Sequence, residues 1–463
     1  MNYLKTIRFI LFTYTLSTHS ITIDSVIQTC PITVSSIQKP SSTQEIQSII
    51  KKTQGPVSLA GTRGSQGGQI AYPNGTVIDM TNLSQIKKID PQNKLITVEA
   101  GATWRDIQKA IDPYNLSIRV MQTYNDFTVG GSLSVNVHAR MVSEGPMIGS
   151  IEELEIILAD GSLVTANRKK NKDLFYSTIG GYGLLGIVTN VTLRLTDNEP
   201  MERIAHHIQW NEVASFFETQ IKNNPKTIFF NAVLYPHDFE HATIVTFNKT
   251  RKKLTIPTRL NREHLFHPIQ MLAEQLLRRI PTLSIPRKVI QQNIFEKPEV
   301  VWRNYEMSRY TINSLKPLTR FFSHSILQEY FIPVDSLNSF LKQFKKIASD
   351  HNINILNASI RYVPADKESI LAYAPVNSYS VVLYINVWNS SSEQEKMKVW
   401  TQKLINAALS TQGTFYLPYH LYASKKQFKQ AYPHYKKFLQ TKEIYDPTCK
   451  FRNMLFDAYL LSE

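Results

Sequence analysis

The stretch "LAGTRGSQGGQIAYPNGTVIDMTNL", Leu59 to Leu83, holds five glycines and runs directly into an apolar, strand-like segment. Glycine admits positive φ and lets backbone N–H groups come close to a ligand, so such a loop beside a strand can cradle an anion, phosphate above all. It can equally be a surface turn. Gly64, Gly67 and Gly68 do not make GxGxxG, and no GK[ST] follows. Three more glycine-bearing pieces come later: "VEAGATW" (Val98–Trp104), "TVGGSLS" (Thr128–Ser134) and "GGYGLLGIVT" (Gly180–Thr189). Side chains able to move a proton near neutral pH are His138 in "NVHAR", and Tyr419 and His420 in "LPYHLY". Each could instead be an ordinary side chain bonded to backbone. Asp126 could present a carboxylate or cap a turn, and Arg140 could offset an anion or form an ion pair. Trp104 and Tyr182 read as packing residues. The twelve histidines show no HExxH spacing, and no GxSxG occurs, which argues against metal-dependent and serine-dependent hydrolysis.

These pieces need a scaffold, and residues 35 to 198 read as alternating helix and strand. "SSTQEIQSIIKKTQ" (Ser41–Gln54) has a capping start, Glu45 in the first turn and an apolar stripe at Ile46, Ile49 and Ile50. "GTVIDMTNL", "LITVEAG" and "EELEIILADGSLVTA" are β-rich, with Asp160-Gly161 as a hairpin signal. "TWRDIQKAIDPYNLS" is helical until Pro113, and "GLLGIVTNVTLRL" is a long strand after a glycine bend. From Glu199 to about Gln412 longer helices interrupted by strands are expected, among them an amphipathic helix over His267–Pro281. The tail reads as a helix closed at Asp446-Pro447 with a short aromatic end. The fold class is α+β: a two-subdomain module over 30–200, a second α+β domain with a mixed or antiparallel sheet over 201–415, and a C-terminal segment, 416–463, that returns to the first.

The chain has 463 residues, 42% of them hydrophobic, enough for two or three cores. The formal charge is +15, and Arg251 to Lys288 carries nine Lys or Arg against Glu263 and Glu274. That local excess fits a solvated face or a peripheral membrane contact as well as any nucleic-acid site, and no nucleic-acid partner is expected. Cys30 and Cys449 alone build neither a disulfide framework nor a cysteine metal cluster. Residues 1–22 resemble a signal peptide or N-terminal anchor, with Lys5 and Arg8 ahead of a short apolar core broken by Thr13 and Thr15. Export or membrane association follows if it is a signal, and a cytoplasmic location if it is not.

The four glycine pieces, in this order, resemble the FAD-binding module of the vanillyl-alcohol oxidase and p-cresol methylhydroxylase superfamily. "TVGGSLSVNVHAR" and the tail from "GTFYLPYHLY" to "YDPTCKFRN" look like those of bacterial sugar-oxidising and lactone-oxidising members, decaprenylphosphoryl-ribose oxidases among them. The first loop also resembles that of cytokinin dehydrogenases. The resemblance implies FAD contacts from Gly61, Thr62, Arg63, Gly64, Ser65, Gln66 and Gln69 around the pyrophosphate, and from Gly101, Thr123, Thr128, Gly130, Gly131, Ser132, Asn136, Ile187 and Val188 around the flavin. Where cytokinin dehydrogenases carry a histidine bonded to the flavin, this chain has Gly64 followed by Ser65 and Gln66, so non-covalent FAD is expected. The position of their aspartate is Thr123, and Tyr419 stands where the ribose oxidases have a lysine. His138, Tyr419 and His420 are the acid–base candidates. The implied activity is hydride transfer from a CH–OH group of a sugar, polyol, lactone or polyprenyl-linked sugar, with oxygen or a quinone as acceptor. Alternatives are amine oxidation, or a binding protein that keeps the fold without catalysis.

Overall fold

A computed structural model describes residues 21–236, 239–261, 288, 292–310 and 323–461. Residues 1–20, the helix expected over 267–281 and most of the basic stretch 251–288 lie outside the described residues. Within the described part of that stretch, Lys252 pairs with Glu202 at 2.5 Å, and Arg259 pairs with Asp112 at 2.8 Å while lying over the Trp302 ring. Among the described residues no helix is long and apolar enough to cross a membrane.

The chain enters through an antiparallel pair, β1 (Ile21–Ile23) and β2 (Ile32–Val34). Next come β3 (Ser36–Gln38), helix α1 (Thr43–Lys52), β4 (Val57–Ala60) and β5 (Thr76–Asp79), whose strands form a parallel sheet in the order β3-β5-β4. Helix α1 forms where its capping signal places it: the Ser42 hydroxyl accepts from the Glu45 amide, and Ile46 and Ile50 are buried. Strand β4 runs straight into the first glycine loop. That loop therefore hangs from the carboxyl end of a parallel strand, a usual place for a ligand loop.

Then follow β6 (Ile86–Asp90), β7 (Leu95–Glu99), α2 (Trp104–Ile111), β8 (Leu116–Ile118), α3 (Val129–Ser134), β9 (Ile151–Ile157), β10 (Leu163–Asn167), α4 (Lys172–Thr178) and β11 (Ile187–Asp197). Their strands make an antiparallel sheet in the order β10-β9-β11-β7-β6, with β8 on the far end of β11. Asp160-Gly161 turns the β9–β10 hairpin, with Gly161 at φ +82°. Helix α2 begins on a Thr103–Asp106 capping box and stops before Pro113, whose ring cannot continue it.

The third sheet is antiparallel and eight-stranded. Its strands are β12 (Pro200–Gln209), β13 (Thr227–Leu234), β14 (His241–Lys249), β15 (Val300–Trp302), β16 (Ser323–Pro333), β17 (Ile355–Val363), β18 (Ser378–Trp388) and β19 (Thr414–Phe415), in the order β15-β12-β14-β13-β17-β18-β16-β19. Among the described residues this half is built around strands, with two long helices, Leu337–Asp350 and Ser391–Ser410. The run "TIFFNAVL" is buried on both faces, which erases the alternation that marks a strand, whereas "SVVLYINVW" reads as a strand in sequence and is one. The tail also differs from one helix: Pro433 splits it into Lys425–Ala431 and Tyr435–Tyr445.

The tail then returns to the first domain. Phe451 bridges Val57 in parallel, with the Val57 amide bonded to Lys450 O at 2.7 Å and the Arg452 amide to Val57 O at 2.9 Å.

Candidate active site

One cavity lies where the parallel sheet, the glycine turns and the eight-stranded sheet meet. The first loop supplies Gly61 to Ser65 and Gln69, and the segment before and through α3 supplies Gln122, Thr123, Tyr124, Phe127, Thr128, Gly130, Gly131 and Ser132. The turn Tyr182–Gly186 and Val188 form a third wall, and Leu327, Glu329, Arg361 and Val382 form a fourth with Tyr416 and Tyr419. Register explains the fourth wall. Glu329 lies opposite Val382 and Arg361 opposite Ser380, so residues two apart on β16, β17 and β18 share one face.

The first loop has the donor set an anion needs. Among the described residues the amides of Thr62, Arg63, Gly64 and Ser65 find no protein acceptor, although all four residues line the cavity. A row of free backbone donors is what a pyrophosphate neutralises. The loop is pressed onto the α3 segment: a Cβ on Gly64 would stand 2.4 Å from the Phe127 ring. Across the cavity, positive φ at Gly180, Tyr182, Gly183 and Gly186 lays a flat turn along the wall, and for Tyr182 that conformation is one non-glycine residues seldom adopt. Thr128 caps α3 by accepting from the Gly131 amide at 3.3 Å. Ser132, Gln122 and the Trp104 indole are joined by bonds of 2.7 to 3.0 Å that fix this wall.

A cluster of groups able to move a proton is buried around Glu329. His138 Nε2 lies 2.5 Å from Glu329 Oε1, the Ser380 hydroxyl donates to the same oxygen, and the Tyr419 hydroxyl donates to Oε2 at 3.0 Å. A ring nitrogen and a carboxylate oxygen this close share a proton, with His138 Nε2–H donating to the Glu329 carboxylate. Burial alone pushes the Glu329 carboxyl up, but His138, Arg361 and Ser380 together hold it below its ordinary value of 4.5. Burial and the Glu329 charge push the Tyr419 hydroxyl well up, so this phenol stays protonated. Arg361, half-buried, has no carboxylate within ion-pair distance among the described residues, and burial pulls its guanidinium below the usual arginine range. Its Nε is buried without a partner. The wall therefore offers a substrate one uncommitted cation and one carboxylate with a free lone pair.

Sequence reasoning placed most of these residues and misplaced several. Gly61, Thr62, Arg63, Gly64, Ser65, Gln69, Thr123, Thr128, Gly130, Gly131, Ser132, Val188, His138 and Tyr419 all line the cavity. Gly101 does not: its amide bonds Leu83 O, and a Cβ there would meet Met80 O at 2.0 Å, so it is glycine to let two backbones cross. Ile187 points into the sheet core. Asn136 is tied to Asp366 and to the Ile148 amide, and Gln66 braces the loop against Pro418 O and the Leu327 amide. His420 also stands off the cavity, stacked on Tyr422; burial and then the neighbouring His324 push it down to about 3. Arg140 pairs with buried Glu306 at 2.9 Å, and Asp126 is not on the wall. Glu329 and Arg361 were missed. Their signal was present, since each is the one charged residue of its strand, β16 or β17. A lone charge in a buried strand is costly unless it is paired or used.

Two family descriptions match the chain in tandem. Residues 35–167 match the FAD binding domain, and residues 191–460 match D-arabinono-1,4-lactone oxidase. The chain is similar to L-gulonolactone oxidase of Mus musculus, 21% identical over 90% of this chain and 92% of that one. It is also similar to decaprenylphosphoryl-beta-D-ribose oxidase of Mycolicibacterium smegmatis, 23% identical over 83% and 84%. Cytokinin dehydrogenase 2 of Arabidopsis thaliana is 28% identical, over only 39% of this chain and 37% of its own length.

Proposed function

The chain belongs to the D-arabinono-1,4-lactone oxidase family of FAD-dependent oxidoreductases, and from that membership we propose that it oxidises the CH–OH carbon of a sugar-derived polyol, aldose or lactone. The observation that carries the reading is the presence of both Glu329 and Arg361 on the wall facing the glycine loops. FAD, when bound, accepts the hydride from the carbinol carbon. The protein handles the other half. Arg361 donates to the substrate oxygens and offsets the negative charge that develops as the hydroxyl is deprotonated. Glu329 Oε2 takes the hydroxyl proton. Tyr419 and Ser380 hold the carboxylate in place, and the proton shared with His138 spreads the charge over the pair.

The amides of Thr62 to Ser65 would hold the pyrophosphate, and the Tyr182–Gly186 turn the ring system. The flavin is proposed to be non-covalent. Among the described residues His138 is the sole histidine lining the cavity and no cysteine lines it, and His138 is committed to Glu329. The acceptor is oxygen or a quinone. Amine oxidation is less favoured, because the cytokinin dehydrogenase likeness covers only 39% of this chain.

The test is direct. Purified protein is precipitated with acid and the flavin followed; colour staying with the polypeptide would refute non-covalent binding. The soluble holoenzyme is then mixed without oxygen with lactones, alditols, aldoses and amines, and bleaching of the flavin is recorded. Bleaching by amines alone would overturn the alcohol reading. Peroxide release against quinone reduction decides the acceptor.

A further inference from the structure

Lys442, on the helix Tyr435–Tyr445, is a buried ammonium, 2% exposed, with no place in the mechanism above. Its three donors are all committed: to Leu184 O at 2.7 Å, to Asp446 Oδ2 at 2.7 Å and to Phe451 O at 2.8 Å. An ammonium has three N–H groups, so none is spare. Two of the acceptors bear on the cavity. Leu184 belongs to the Tyr182–Gly186 wall, 258 residues away in sequence. Phe451 bridges Val57, on the strand that ends in the loop whose amides lie free.

Asn453 repeats the arrangement from the same segment, its side-chain amide donating to Tyr182 O at 2.9 Å. Nearby, the Ser58 hydroxyl donates to Arg452 O. Asp446 holds the segment itself, accepting from the Lys450 and Phe451 amides at 2.8 Å each. One cation therefore joins two walls of the cavity that touch the sequence at opposite ends of the first domain.

We propose that Lys442 is a positioning residue for FAD: it sets the Tyr182–Gly186 turn at the right distance from the 61–65 loop, so that cofactor binding and docking of residues 442–453 stabilise one another. The inference rests on the flavin reading of the cavity. Two states are involved, segment docked and segment loosened, and FAD spans two walls that are in register only in the first. Linkage then requires reciprocity: whatever factor docking contributes to FAD affinity, FAD contributes to docking. A lysine that merely steadied its own helix would show no such exchange.

The experiment uses the full chain as Lys442→Met and Asn453→Ala beside wild type. FAD affinity is read from the fluorescence of added FAD, the ring's setting from its visible circular dichroism, and docking from hydrogen exchange of residues 442–453 with and without FAD. Lys442→Met is expected to weaken FAD binding about tenfold or more and to change the dichroism. Asn453→Ala should do the same to a smaller degree. In wild type, FAD should slow exchange across 442–453. Variants that melt earlier yet bind FAD as wild type does would overturn the proposal, as would wild-type exchange indifferent to FAD. If Lys442→Met leaves the buried Asp446 carboxylate without its countercharge and does not fold, Asn453→Ala decides alone. A wild-type chain that binds no FAD would sink the flavin reading and this inference with it, whereas normal wild-type binding with unaltered variants sinks the inference only.

Discussion

Replacing Glu329 by glutamine removes a charge while nearly preserving a shape, which makes it the sharpest probe of the proton path. The carboxylate accepts from His138 and Ser380 on one oxygen and from Tyr419 on the other. Glutamine keeps one oxygen for His138 and Ser380, and its NH2 can donate to the Tyr419 oxygen once that hydroxyl turns. No buried partner is abandoned, so the loss of stability is the difference between charged and neutral hydrogen bonds, about 1–3 kcal/mol. The proton acceptor, however, is gone. General-base removal lowers such rates by about 10²–10⁴-fold, which is about 3–5 kcal/mol of barrier. The assay is anaerobic rapid mixing of FAD-loaded protein with substrate, following flavin bleaching at several substrate concentrations. The limiting rate should fall and the half-saturating concentration should barely move, because Arg361 remains. Glu329→Gln that bleaches within about threefold of wild type would refute Glu329 as the base, since the loss should be at least about a hundredfold. The pH dependence follows from the same group. Its folded pKa is depressed below 4.5, so its contribution to stability is complete above the ordinary carboxylate value and is lost as pH falls through the lower folded value. The Glu329→Gln protein should lack that acid-side loss.

Arg361→Met should lower kcat/KM by about 10–100-fold, the worth of a charged hydrogen bond, yet raise the melting temperature, because it removes a desolvated cation that has no carboxylate partner; a melting temperature that falls would contradict the account of Arg361 as uncommitted. His420→Gln should leave flavin reduction and its profile between neutral and mildly acid pH as in wild type, since the ring stands off the cavity and its pKa is already down at about 3. Gly101→Ala should destabilise the fold by about 3 kcal/mol or more, because the new methyl group would meet Met80 O and Leu83 O, both backbone; thermal melting of apo protein checks this, and a loss of FAD affinity with unchanged apo stability would restore Gly101 to the flavin wall.

The glycine-lined side of the cavity was legible because it is local: each glycine piece is contiguous in sequence. The wall from the eight-stranded sheet was not. Glu329, Arg361 and Ser380 come from three strands, and only the register of β16, β17 and β18 puts them on one face. His138 could be nominated from its neighbours in sequence, but its partner lies 191 residues further on. Glycine also misled where it was read by type alone. Gly64 and Gly101 both permit close approach, the first of a loop to Phe127 on the cavity wall, the second of one backbone to another. In the second half strands such as "TIFFNAVL" were under-read for a physical reason, since two-sided burial replaces alternation with continuous apolar runs. The helix break at Pro433 was readable and went unread.

The parallel bridge between Val57 and Phe451 has a consequence for the order of events in a cell. Strand β4 leaves the ribosome early, but the residues that complete its edge are translated about 390 residues later, as the 394-residue separation of Ser58 and Arg452 shows. Contacts of such long range close slowly and leave an open strand edge exposed meanwhile. The first domain is therefore made first and finished last. Its pocket can be completed only after the eight-stranded sheet has been synthesised, which ties maturation of the holoenzyme to a late folding step.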